Sequence, residues 1–332
     1  LPPNFPPKFG MRISNFFLAE LIFFYFQGDL SQQDKRCVFL TVHDLGTNHS
    51  SMVDFVNSPS MSEIKERSCF IHIDVPGHEE NSPDLPDSYQ FPSLQTLGED
   101  LVTVLDFLHI RYAVGLGEGA GANVLARCGL AHPRRLLGLI LVNCTASTSS
   151  VADAFRTRFS RWRGTDISQS EEDFLIYHKF GHVMSGRDRT LAEYRSRLRG
   201  TLNTHNIKLY VRAFINRKDL LLRGCQLDIL LITGTVSPYS TVIEKMFKEL
   251  DKDKVTILKV EKVGDVLAEA PAKVAQSLLL FCQGQGLLTS LPPPGVERRM
   301  SRAMSMEEYD KPNIRRLSLT PQMNDSPPPR KL

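Results

Sequence analysis

Gly115–Asn123 reads GLGEGAGAN, and the reading of this stretch decides the fold. An apolar run, HIRYAV (His109–Val114), leads into it, and ANVLARCGLAHP (Ala122–Pro133) leaves it with helical character. A strand, a glycine-tight turn and a helix make the frame of a nucleophile elbow, which normally reads G-x-S-x-G with the serine raised at the tip. Here the frame is Gly117-Glu118-Gly119-Ala120-Gly121, so Gly119 stands where the serine would. Extended to Ala122, the same residues also fit the dinucleotide fingerprint G-x-G-x-x-A. That reading needs an acid about 20 residues on, closing the next strand, to hold a ribose. The next strand ends Val142-Asn143-Cys144, and Glu118 would face the pyrophosphate, so no nucleotide cofactor is expected.

Working outward from the turn, short apolar runs alternate with helical patterns. Strands are expected from Cys37, Cys69, Tyr112, Leu136, Leu227 and Lys254. Between them, Leu97, Leu101, Val104, Leu105 and Leu108 recur at helical spacing behind Ser93, a plausible N-cap. Val242–Leu250 and Pro271–Cys282 are further helices, the second with proline at its first position. Near-continuous apolar strands alternating with helices predict a mainly parallel sheet covered on both faces. Residues 146–226 hold amphipathic stretches and no clear strand, and read as a helical cap inserted between two strands.

The composition, 42% hydrophobic and 23% charged, is that of an ordinary globular chain. A formal charge of +3 is too small for a general nucleic-acid binder. That excess sits in the tail, where Glu297–Leu332 carries 8 Lys/Arg against 5 Asp/Glu. The six cysteines form no C-x-x-C and no metal-like cluster, which fits a reducing compartment. Phe16–Phe26 is strongly apolar, but it is short and carries Glu20; a bilayer needs about 20 residues. Met11-Arg12 in front of it gives a loose likeness to a signal peptide, but no small-x-small cleavage site follows. A first strand, or a poorly defined chain start, is the expectation, with no stable transmembrane segment.

A hydrolase built on this elbow needs nucleophile, acid and histidine in chain order. The histidine takes the nucleophile's proton and the acid fixes its tautomer. Gly119 has no side chain to attack a carbonyl. The acid belongs just after the strand ending LLITG, where Ser237 stands; the histidine belongs after the last strand, where Asp265 stands. No histidine occurs after His205. His43, His72, His78 and His109 are expected to pack or face solvent. One constellation stays open as an alternative, His43-Asp44 with a nearby serine.

Several blocks together resemble the N-myc downstream-regulated (NDRG) family. They are LTVHDLGTNH (Leu40–His49), IHIDVPGHEENSPDLPDSYQFPSLQTL (Ile71–Leu97), GLGEGAGANVLAR (Gly115–Arg127), GLILVNCTAS (Gly138–Ser147), FLIYHKFG (Phe174–Gly181), INRKDL (Ile215–Leu220) and QGQG (Gln283–Gly286). The chain departs from the family pattern before Gln27, in a shortened stretch at 220–225, and in a tail without long repeats. The resemblance implies an α/β-hydrolase fold without hydrolase activity, and a glycine at the nucleophile position matches Gly119. It divides the chain into an uncertain segment 1–27, an α/β-hydrolase-like domain 28–286 with the cap at 146–226, and a tail 287–332. The function it implies is a cytoplasmic scaffold or adaptor in signal transduction, stress response, growth and differentiation, with signalling or trafficking proteins as partners. A lipid- or small-ligand-binding protein that reuses the vacant cleft is the other reading.

From about Leu287 the chain turns to Pro, Ser, Arg and Met and cannot bury enough surface to offset ordering entropy, so disorder is expected. RRMS, RAMS and RRLS place Ser301, Ser305 and Ser318 three residues after an arginine, which resembles sites for basic-directed AGC-type kinases. Each phosphate adds about −1.5 to −2 charges, so two would reverse the tail's sign. Unmodified, the tail is expected to associate weakly with anionic lipid, which adds a peripheral membrane position to the cytoplasmic one.

Overall fold

The computed structural model describes residues 9–14, 21–147, 167–181 and 188–292. The strands are β1 (Phe9–Ser14), β2 (Leu21–Gln27), β3 (Cys37–Val42), β4 (Ser68–Asp74), β5 (Ala113–Glu118), β6 (Leu136–Val142), β7 (Ile229–Gly234) and β8 (Val255–Val260). They form one sheet in the order β1-β2-β4-β3-β5-β6-β7-β8. β1 and β2 pair antiparallel, β2 joins β4 antiparallel, and every other pair is parallel. All six strands expected from the sequence are present. The end of the apolar Phe16–Phe26 segment is β2, a strand of the sheet. Leu287, Leu288 and Leu291 are buried against the core. Packed chain therefore extends past both ends of the expected 28–286 domain, because a parallel sheet leaves an open edge at β4 and apolar surface beside the last helix to be covered.

The core lies on both faces of the sheet, and the strands divide it by their two-residue period. In β3, Val38, Leu40 and Val42 face one cluster, with the helices Leu94–Phe107 and Gly119–Ala131. Cys37 and Phe39 face the other, with the helices His49–Val56 and Pro271–Gly284. β3, β5 and β7 are buried at every position, which is why they read as unbroken apolar runs. The Leu94–Phe107 helix starts where Ser93 Oγ accepts the Thr96 N–H at 3.1 Å. All six cysteines are buried, and none is in a disulfide.

The described part of the cap holds three helices, Gln169–Phe180, Asp188–Gly200 and Thr204–Ile215, and no strand. The first begins in a capping box: the Ser168 side chain caps the Glu171 N–H while Glu171 Oε2 accepts the Ser168 N–H at 2.7 Å. Glu172 is buried and accepts from Arg195 Nε at 2.9 Å and Arg199 Nε at 2.6 Å, clamping the second helix to the first. Loops after β3, β5, β7 and β8 all open at the carboxyl edge of the sheet, under the cap, where ligands of open α/β sheets bind. Among the described residues, no helix is long and apolar enough to cross a membrane.

His43, His72 and His78 lie wholly inside the sheet frame. His43 Nδ1 donates to its neighbour Asp44's carbonyl at 2.8 Å and Nε2 accepts the Val75 N–H at 3.2 Å. His72 Nδ1 pairs with Thr41 Oγ1 at 2.8 Å, and His78 Nδ1 with the Pro76 carbonyl at 3.2 Å. Burial disfavours their charged forms and pulls His43 and His72 down to about 3 and His78 to about 4, with the charge of His78 also opposing His43. An unfolded chain protonates such rings near 6.5. Between those values the unfolded state binds more protons, so stability present at pH 7 is lost as the pH falls below about 6.5. Each ring accounts for about 1.4 kcal/mol per pH unit in that window. Urea unfolding between pH 7.5 and pH 5 should show a steep decline, made shallower by His72→Gln; a flat profile would show that these rings are not held neutral.

Candidate functional site

The chain rises through β5, turns at Gly119 and enters the Gly119–Ala131 helix. Gly119 has φ +52°, and a Cβ there would collide with the Asp44 carboxylate. Glycine is thus required twice, by the left-handed turn and by what lies against it. Asp44 follows β3, and its Oδ1 accepts the Ala120 N–H at 2.8 Å. In a hydrolase elbow, the N–H of the residue after the nucleophile belongs to the oxyanion hole. Here that donor is already occupied by a carboxylate of the same chain.

His178, in the helix Gln169–Phe180, closes over Asp44 from the cap. Its Nε2 lies 2.9 Å from both carboxylate oxygens, and its Nδ1 pairs with the Tyr239 hydroxyl. The ring is held edge-on against Phe214 at 5.7 Å. Both ring nitrogens are therefore engaged inside the protein. Burial alone would raise the Asp44 carboxyl; the charge and hydrogen bond of His178, then Lys179 and the Ala120 N–H, outweigh it and hold the group below the usual carboxylate range. Asp44, His178 and Tyr239 are all buried.

The next residue, Lys179, anchors a second cluster. Its Nζ is 2.8 and 2.9 Å from the two Glu118 oxygens and 3.1 Å from Asp265 Oδ2. Burial opposes the Lys179 charge, but Asp265, Glu118 and Asp44 outweigh it and raise the pKa, so the ammonium stays protonated. Burial raises the Glu118 carboxyl, Asp265 and Asp44 add to the rise, and Lys179 opposes it. The close approach has a structural cause: a Cβ on Gly264 would run into the Phe180 carbonyl, so glycine there lets the loop after β8 touch the end of the cap helix.

Beside this cluster lies a cleft of about 470 Å³, with Glu118, Lys179, Tyr194, Arg197 and Asp265 in its wall. Neither Asp44 nor His178 lines it. Of the residues singled out in the sequence, Gly119 packs against Asp44, and Asp265 joins the Lys179 cluster. Ser237 turns to the backbone, accepting the Tyr239 N–H at 3.3 Å. The His43 ring contacts Asp44's carbonyl rather than its carboxylate, and no serine pairs with it among the described residues. Ser301, Ser305 and Ser318 lie outside the described residues. No group of three His, Cys, Asp or Glu among the described residues is placed to hold a metal.

Sequence reasoning named Asp44 only beside His43 and missed its contacts with the Ala120 N–H and His178, as well as the contributions of Glu118, Lys179 and Tyr239. One signal was available. Glu118 is a charged residue inside a turn otherwise made of glycine and alanine, and a buried charge requires a partner. The consecutive His178-Lys179 at the end of an apolar helix face is that kind of partner.

Comparison with known proteins places this geometry. The Ndr family matches residues 20–289. The chain belongs to the Ndr family. It is 40% identical to the uncharacterized protein ZK1073.1 of Caenorhabditis elegans, over 89% of this chain and 90% of that one. It is 30% identical to Protein NDRG3 of Xenopus laevis, over 82% and 75%, and 30% identical to Protein NDRG2 of Homo sapiens, over 77% and 70%. Among solved structures, it superposes on a hydrolase from Pseudomonas aeruginosa with TM-score 0.65 at 19% identity, covering 82% of this chain and 97% of that one. A thermophilic esterase from Thermogutta terrifontis gives 0.64 at 17%, covering 83% and 98%. These structures share the α/β-hydrolase fold with this Ndr chain.

Two substitutions probe the site. Gly119→Ala should destabilise by about 2–4 kcal/mol, from the left-handed conformation and from displacing a buried, hydrogen-bonded carboxylate. Lys179→Met leaves two buried carboxylates without their cation and should cost about 3–5 kcal/mol, with partial recovery on adding Glu118→Gln. Denaturant unfolding reads both; wild-type stability in either single variant would contradict the geometry.

Proposed function

We propose that this Ndr-family chain is a non-enzymatic α/β-hydrolase-fold scaffold or adaptor in signal transduction, stress response, growth and differentiation. The observation that carries the reading is the Asp44 carboxylate on the Ala120 N–H, under Gly119 and sealed by His178. A hydrolase needs that N–H for the oxyanion that forms during acyl transfer. A resident carboxylate there competes with the developing charge and repels it. Gly119 supplies no nucleophile, and His178 has both nitrogens engaged, so among the described residues no histidine at the site is free to activate one.

The chain should therefore hydrolyse p-nitrophenyl esters no faster than a denatured control and should not react with a fluorophosphonate probe. Gly119→Ser should remain inactive, because it adds a hydroxyl beside a carboxylate with no free base. Stoichiometric labelling of the wild type would overturn the reading.

The open cleft beside Lys179 supports a second reading, a lipid- or small-ligand-binding protein, since its wall mixes a buried ammonium with carboxylates and aromatic surface. In either case, partners are expected among signalling or trafficking proteins, at a cytoplasmic location. The tail is where regulation is proposed. Arg298, Arg299, Arg302, Arg315 and Arg316 lie near Ser301, Ser305 and Ser318. Basic residues close to an anionic membrane contribute about 1 kcal/mol each, and phosphorylation by basic-directed AGC-type kinases would cancel that locally. Triple Ser→Glu should lower binding to phosphatidylserine vesicles at low salt and leave Tm unchanged. Equal vesicle binding would remove the electrostatic switch.

A further inference from the structure

Arg127 and Arg217 are both buried, and neither pairs with a carboxylate among the described residues. Arg127 donates from Nε to Asn123 Oδ1 at 2.9 Å, from Nη1 to Gln95 Oε1 at 2.9 Å, and from Nη2 to the Lys218 carbonyl. Arg217 donates from Nη1 to the Phe214 carbonyl at 2.7 Å, and from Nη2 to Thr145 Oγ1 at 2.9 Å and the Ser147 carbonyl at 3.4 Å. Every acceptor is neutral. Arg217 is 93% buried, and its Nε, also buried, has no acceptor among the described residues. Burying a charge without a counter-charge is expensive. Burial pulls the Arg217 pKa down to about 10. Cys144 does not compensate, because burial pushes its thiol up to about 12 and keeps it neutral. The carboxylate that weighs on both arginines is Asp219, which is exposed.

Both arginines line one hollow of about 550 Å³, away from the Lys179 cleft. Arg212 and Lys218 join them at its rim, exposed and without an ion pair among the described residues. Phe91, Pro92, Leu94, Leu209 and Ala213 make the apolar part of the wall, with Asn216 among the polar part. Ser93 and Gln95 also contribute, so the positive end of the 14-residue helix Leu94–Phe107 opens into the same space. Four cations, a helix N-terminus and an apolar wall define the chemistry of an occupant. It needs more than one negative charge to balance the cations, and an apolar body to cover Phe91 and Leu209.

We propose that this hollow binds a phosphate monoester carrying a small apolar or aromatic group. The phosphate would sit against the exposed Arg212 and Lys218, in front of the buried Arg217 guanidinium, since guanidinium forks suit phosphate oxygens. The ester group would lie on Phe91 and Leu209.

Phenyl phosphate and inorganic phosphate are suitable probes, titrated into the full chain at low salt by calorimetry. Phenyl phosphate should bind saturably at one site and raise Tm. Inorganic phosphate, lacking the ring, should bind about tenfold more weakly. Arg212→Ala with Lys218→Ala removes only exposed groups, so Tm without ligand should stay at the wild-type value while phenyl phosphate affinity falls at least about tenfold. Absence of saturable binding would overturn the proposal, as would equal affinity in the double variant, which would put the ester elsewhere. Equal affinity for the two probes would overturn its apolar part.

Discussion

A carboxylate on a backbone N–H in the first turn of the elbow helix is the contact on which the rest of this site depends. A helix start beside a sharp turn presents backbone donors and a positive dipole end, and some anion or polar group must satisfy them. Asp44 does so from the neighbouring strand β3. Once it is there, Gly119 can carry no side chain, and His178 must descend to share the buried charge. His178 in turn fixes the end of the cap helix, which delivers Lys179 to Glu118 and Asp265. Glycine, histidine, lysine and two further carboxylates follow from one charge placed early in the chain.

The fold was legible in the sequence because its signals are local. Unbroken apolar runs marked β3, β5 and β7, Ser93 and Pro271 marked helix starts, and the glycine turn fixed where strand gives way to helix. The site was only half legible. Gly119 and Asp265 could be located by counting from strand ends, since loops at one sheet edge are short. Asp44 and His178 are 134 positions apart and meet only through the cap, whose packing has no local period to read. Ser237 illustrates the limit of counting: the position follows the right strand, yet the side chain turns to the Tyr239 backbone, and Tyr239 itself makes the contact. β2 was obscured for another reason. It is an added antiparallel strand on an otherwise parallel sheet, so its apolar character resembled a targeting segment as much as a strand.

The elbow here differs from one whose hydrogen-bonding groups are left open. In an enzyme the oxyanion donors stay open and the histidine stays free, so the site holds unmet hydrogen-bonding capacity in reserve for the transition state. Here the Ala120 N–H and the His178 ring are satisfied within the chain. What stays open is beside it, in the cleft walled by Tyr194 and Arg197, and farther off, in the hollow of Arg127 and Arg217.

His178 and Lys179 are neighbours in sequence, yet each is tied to a different loop of the sheet edge, one to Asp44 and one to Glu118 and Asp265. Lifting the cap would have to break both attachments at once and expose three carboxylates and an ammonium that were buried together. A lid in an enzyme opens at small cost, in microseconds to milliseconds. This one is riveted, so the amides of the helix Gln169–Phe180 should exchange their hydrogens on the timescale of global unfolding, as one cooperative unit with the sheet.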